Sequence, residues 1–116
     1  MRVNYLGPLC GGISHPALEG YDLTYFTPSC YLVEVSDEAG VEGPVIEGDV
    51  LVVDESRVAQ HADLVVVERE GLRLFNSHRI GGQIRLIPPM DRSGSFPARQ
   101  SDIRGVVVRQ ARRYGL

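Results

Sequence analysis

Tyr31-Leu32-Val33-Glu34-Val35-Ser36 and Val45-Ile46-Glu47-Gly48-Asp49-Val50-Leu51-Val52-Val53-Asp54 bracket a turn-rich acidic stretch, Asp37-Glu38-Ala39-Gly40-Val41-Glu42-Gly43-Pro44. This region decides the fold. The first piece is rich in aliphatic and aromatic residues and reads as a strand. Gly and Pro break the middle into a loop. Val50–Val53 is an aliphatic run launched from Gly48-Asp49 and closed by Asp54, too short for a helix and suited to a strand buried on both faces. A loop held between two stiff strands is a common place for a site.

The β signal continues toward the C-terminus. Glu55–Ala62 is polar and reads as a loop, and Leu64–Val67 is a second aliphatic run. Glu70-Gly71 reads as a hairpin turn joining Leu64–Arg69 to Leu72–Asn76, whose near-alternation suits a half-exposed strand. Gly81-Gly82 reads as a second hairpin turn leading into Gln83–Ile87, which Pro88-Pro89 stops. Asp91–Ser101 reads as a loop, Ile103–Arg109 as the last strand and Ala111–Leu116 as a basic tail. Upstream, Gly7-Pro8, Gly11-Gly12, His15-Pro16, Gly20 and Thr27-Pro28 punctuate residues 1–30 too often for a long helix. That segment reads as an extended arm, lying on the body of the domain or on a partner subunit, with Leu23–Phe26 as one short turn or strand. The expectation is a mainly β domain of about six or more strands over residues 31–116, preceded by the arm.

At 116 residues the chain is one domain with room for a core. Hydrophobic content of 43%, charged content of 23% and a net charge of −3 are ordinary for a globular protein and argue against a nucleic-acid-binding face. No apolar run approaches the roughly 20 residues of a membrane helix, and no leader is visible, so a cytoplasmic protein is expected. Cys10 and Cys30 read as reduced thiols, without a zinc knuckle. The carboxylates Glu34, Asp37, Glu38, Glu42, Glu47 and Asp49 lack calcium-loop spacing and read as a solvated acidic loop, so neither metal nor cofactor is expected. Arg109, Arg112 and Arg113 read as a solvated end or as ion-pair partners across a dimer. His15, His61 and His78 are isolated, each reading as a surface or capping residue.

The order of these pieces resembles the LexA/UmuD family of self-cleaving serine–lysine peptidases, and the UmuD branch most closely. Gly48–Asp54 resembles the family's Gly-Asp-hydrophobic run, and His61-Ala62-Asp63-Leu64-Val65-Val66 its following strand. Leu86-Ile87-Pro88 resembles the Leu-Ile-Pro closing the next, and Gly105-Val106-Val107-Val108 the final strand. Tyr31–Asn76 can be laid on the UmuD pattern without a gap. In the arm, Cys10-Gly11 resembles the bond that UmuD cuts in itself, and Asp22-Leu23 with Pro28-Ser29 resembles its linker. The resemblance implies a LexA/signal-peptidase-like β domain. The chain is too short to carry the family's helix-turn-helix DNA-binding domain as well, so an UmuD-type accessory protein is expected rather than a repressor.

The family pairs a serine, in a Gly-Asp-Ser-Met turn, with a lysine on a later strand that deprotonates it. A lysine desolvated among apolar neighbours has its pKa lowered enough for that task. By the resemblance, Ala39 falls at the serine position and Asn76 at the lysine position, with Gly40 in place of the methionine. Alanine offers no nucleophile, and an amide does not accept the proton at neutral pH. The resemblance therefore implies a catalytically degenerate member. Ser36, or Ser77 with His78, are the substitutes the sequence offers for a non-family pair. The first reading is an inactive accessory protein acting by binding: to its own copy, an active relative, a translesion DNA polymerase or the RecA filament, in the SOS response to DNA damage. Ile103–Arg109, with Val106, Val107 and Val108, is the expected dimer edge. The alternatives are a self-cleaving peptidase with a non-family pair and a mobile-element decoy of the host's SOS peptidase.

Overall fold

The computed structural model of the chain describes residues 1–9, 28–36, 44–89 and 94–112. Among them are eight strands: β1 (Val3–Pro8), β2 (Cys30–Val35), β3 (Val50–Asp54), β4 (Leu64–Glu68), β5 (Leu72–Ile80), β6 (Gln83–Ile87), β7 (Phe96–Ala98) and β8 (Ile103–Ala111). A 3-10 turn, Gln100–Asp102, precedes β8, and no α-helix occurs among the described residues. All eight strands lie in one antiparallel sheet of order β1-β2-β3-β8-β4-β5-β6-β7. The mainly β expectation holds.

The sheet curls until its first strand meets its sixth. Arg2 bridges Arg73, and the N–H of Leu74 donates to the carbonyl of Met1 at 2.8 Å. Alternation then divides the side chains. Tyr31, Val33, Val35, Leu51 and Val53 point inward with Val3, Val66 and Leu74, while Leu32, Val50 and Val52 pack on the opposite face with Leu9, Cys30 and Ala111. A third cluster gathers Val65, Val67, Phe75, Ile84 and Leu86 with Ile103 and Val106. β2 and β3 are therefore buried on both faces, which is why their sequences read as near-continuous apolar runs.

Several expectations are corrected. Residues 3–8 do not lie outside the sheet: Val3 pairs with Val35 and Pro8 with Tyr31, across a bulge between Tyr5 and Gly7. Gly7 and Pro8 punctuate this strand without ending it, because the bulge absorbs Gly7 at φ 135°. β5 is covered on both faces only around Leu74, which enters the interior, and Phe75, which packs with β6 and β7, while Leu72, Arg73 and Asn76 are partly buried. It also runs to Ile80, past the expected end at Asn76, so Ser77 and His78 lie within the strand. Phe96–Ala98 forms a short strand inside the expected loop. β8 lies between β3 and β4 rather than at an end of the sheet, with Val106–Ala111 along β3 and Ile103–Val106 along β4, and Ile103 and Val106 are buried. Among the described residues, no helix is long and apolar enough to cross a membrane.

Candidate functional site

The expected nucleophile position, Ala39, and the cleavage-like Cys10-Gly11 lie outside the described residues. Their neighbours do not. The 37–43 stretch leaves from Ser36 and returns at Pro44, and its neck is closed by backbone bonds. Val35 N–H donates to Asp49 O at 2.8 Å and Gly48 N–H donates to Val35 O at 2.9 Å. Gly48 sits at φ 81°, the left-handed conformation that glycine tolerates best.

Asp49 anchors this neck. Its carboxylate is fully buried and accepts four bonds: from Ile46 N–H at 2.9 Å, from Gln110 Nε2 at 2.7 Å, and from Arg112 Nε and Nη2 at 2.8 and 2.9 Å. Gln110 Nε2 and Arg112 Nη2 also donate to the Pro44 carbonyl, at 2.7 and 3.2 Å. Burial alone pushes the Asp49 carboxyl up, but the bonds from Arg112, Ile46 and Gln110 outweigh it and hold the group below the usual carboxylate range. This corrects two expectations. Asp49 belongs to no solvated loop, and Arg112 pairs within its own chain rather than across a dimer.

Asp54, at the far end of β3, is built similarly. Its Oδ1 accepts from Ser29 Oγ at 2.7 Å, Ser56 Oγ at 2.7 Å and Ser56 N–H at 3.0 Å. Burial pushes its carboxyl up, and these bonds pull it below its ordinary value. Tyr31 donates its hydroxyl to Arg104 O at 2.8 Å; burial, with Glu55 and Tyr5 nearby, pushes the phenol up to about 12.

The expected base position, Asn76, is half-buried on β5, opposite Leu64 on β4 and Ile87 on β6. Ser77 follows on the other face, fully buried. Its Oγ donates to Gln60 O at 2.6 Å and lies 3.2 Å from both Asp63 N and Asp63 O, so the hydroxyl pins the 60–63 turn. His78 returns to the face opposite Ser77, its ring 4.9 Å from that of His61. His61 Nδ1 accepts the Arg79 N–H at 3.1 Å. Ser36 follows β2 and donates its N–H to Arg2 O, and its buried Oγ has no hydrogen-bond partner among the described residues. The structure thus brings neither Ser36 nor Ser77 into a hydrogen bond with His78. Among the described residues, no three His, Cys, Asp or Glu side chains gather as a metal would require.

Composition adds a fact that motif matching overlooks. All 12 basic residues, Lys and Arg together, are arginine, so the chain holds no lysine. An arginine remains protonated at any working pH and cannot act as the base.

No family model matches the chain. It is 30% identical over 79 residues to the LexA repressor of Mycobacterium leprae (strain Br4923), a stretch that covers 67% of this chain and 34% of that repressor. The chain thus spans about a third of the relative's length. Over that stretch it is LexA-like, and its antiparallel β body is consistent with a LexA-like domain.

Proposed function

We propose that this chain is a LexA/UmuD-type, peptidase-fold protein that has lost self-cleavage and works by binding other proteins. The observation that carries the reading is the absence of any lysine. Serine–lysine chemistry needs an amine that can shed its proton near neutral pH, and no side chain here offers one. Asn76 at the family's base position and Ala39 at its nucleophile position support the same reading. So does Ser77, whose hydroxyl is engaged in holding a turn. By resemblance, the partners are a second copy, an active relative, a translesion polymerase or the RecA filament, in the bacterial response to DNA damage.

The test is restoration. The double variant Ala39→Ser/Asn76→Lys, incubated at mildly alkaline pH, is expected to acquire cleavage between Cys10 and Gly11, while either single variant stays intact. A double variant that folds and stays whole would mean that these are not the dyad positions.

A second reading, a peptidase with a non-family pair, draws on Ser36, whose buried hydroxyl has no hydrogen-bond partner among the described residues. It requires that the unmodified protein cut itself and that Ser36→Ala abolish the cut.

A further inference from the structure

The end of the sheet farthest along the strand order carries a cleft that none of the preceding chemistry uses. It opens between the β5–β6 hairpin, the Val58-Ala59 segment and the β7–3-10 junction, with a volume of about 520 Å³. Val58, Ile84 and Ala98 supply apolar lining, Arg79 and Arg99 supply charge, and no carboxylate lines it. The frame is built rather than incidental. Ala59 is buried, its carbonyl accepts Arg79 Nη1 at 3.0 Å and its N–H donates to Gln100 Oε1 at 3.0 Å. Arg79 is thus tethered at one nitrogen of its guanidinium.

One exposed hydrophobic points to the same place: Val58, 50% open to solvent, lines the cleft. It stands with Ile84 and Ala98 beside two arginines, with no carboxylate among the described lining residues, on a chain of net charge −3, a combination that suits recognition of an anionic, partly apolar segment.

We infer that this cleft binds an acidic peptide segment of a partner protein, seating an aliphatic side chain against Val58 and Ala98 and a carboxylate on Arg79 or Arg99. Charge complementarity selects the occupant: guanidinium forks match carboxylates, and the apolar wall gives a flanking aliphatic residue somewhere to desolvate. Recognition is through side chains rather than an added strand. β7 is three residues long, and its central Pro97 has no N–H to offer a new ladder. The inference does not depend on whether the chain cleaves itself.

The experiment is fluorescence anisotropy on the purified full chain. The probe is a short labelled peptide of glutamates with interspersed leucines. Controls replace the leucines by serine or the glutamates by lysine, and a labelled oligothymidylate tests for nucleic acid. Saturable binding of the glutamate–leucine peptide is expected, weakened by salt and absent for the lysine peptide. Arg99→Glu and Val58→Ser alter exposed residues that line the cleft and should leave the urea midpoint unchanged while each weakening that binding about tenfold or more. The inference is overturned if the peptide does not bind, if both variants bind it as well as the unmodified protein, or if oligothymidylate binds at the cleft and the peptide does not.

Discussion

Asp49 shows how a single residue ties distant parts of this chain together. Its partner Arg112 lies 63 positions away, so nothing local in the sequence announces the pair. What is legible is a carboxylate placed directly before a run of apolar residues, a position where it must be either exposed or paired. Replacing Arg112 by Met leaves that carboxylate buried with fewer donors. The expected loss is about 2–3 kcal/mol in urea denaturation, at the low end for a buried pair because the Arg112 side chain is 27% exposed. The pH dependence has a defined sign. Asp49 and Asp54 are held below their ordinary values in the folded chain, whereas unfolded carboxyls titrate near about 3.9. Their stabilisation is present above that unfolded value and is lost as pH falls through the folded ones. Urea midpoints should therefore drop from about pH 5 downward, and less steeply in Arg112→Met. Ser77 gives a different residue-scale test. Because its hydroxyl pins the 60–63 turn, Ser77→Ala should cost about 1–2 kcal/mol of stability. A nucleophile's removal would instead leave stability nearly unchanged and abolish a cut.

Among the elements, β2, β3, β4, β6 and β8 were legible because aliphatic runs bounded by Gly, Pro or Asp can be little else. The two-residue turn Gly81-Gly82, at φ 57° and 84° between Ile80 and Gln83, is the hairpin that a Gly-Gly pair predicts. β1 and β7 were not legible, because Gly7, Pro8 and Pro97 carry the marks of loops. Neither was the place of β8. Strand order is set by non-local pairing, and a run of valines does not say whether one or both of its ladders will be used. Gly105 records how closely the elements approach there. It has φ 149°, and a Cβ would collide with Val53 Cγ1 and lie 3.2 Å from the Asp54 carbonyl. Gly105→Ala is therefore expected to destabilise the β3–β8 junction by about 2–4 kcal/mol, read as a lowered urea midpoint at unchanged slope. A variant as stable as the unmodified protein would place the two strands further apart than the structure does.

At the scale of the molecule, the first strand holds the sheet closed. Val3 is buried between β2 and β5, and Met1 and Arg2 make the backbone contacts that join the two sides. Deleting residues 1–9 should abolish cooperative unfolding rather than trim an arm, because it uncovers the edges of two strands and the interior they enclose. The proposed loss of chemistry rests on the sequence alone: by resemblance, Ala39 and Asn76 fall where the family has its serine and lysine. The framing of that site by Asp49, Gln110 and Arg112 was not legible, since it depends on the non-local pairing of β3 with β8, Val50 opposite Ala111, which sets the end of β8 against the turn before β3. The most direct measurement is the intact mass of the unmodified protein over a day at mildly alkaline pH, alone and with RecA filaments. An unchanged mass in both conditions is predicted. A product beginning at Gly11 would contradict the proposed loss of cleavage and direct attention to Ser36.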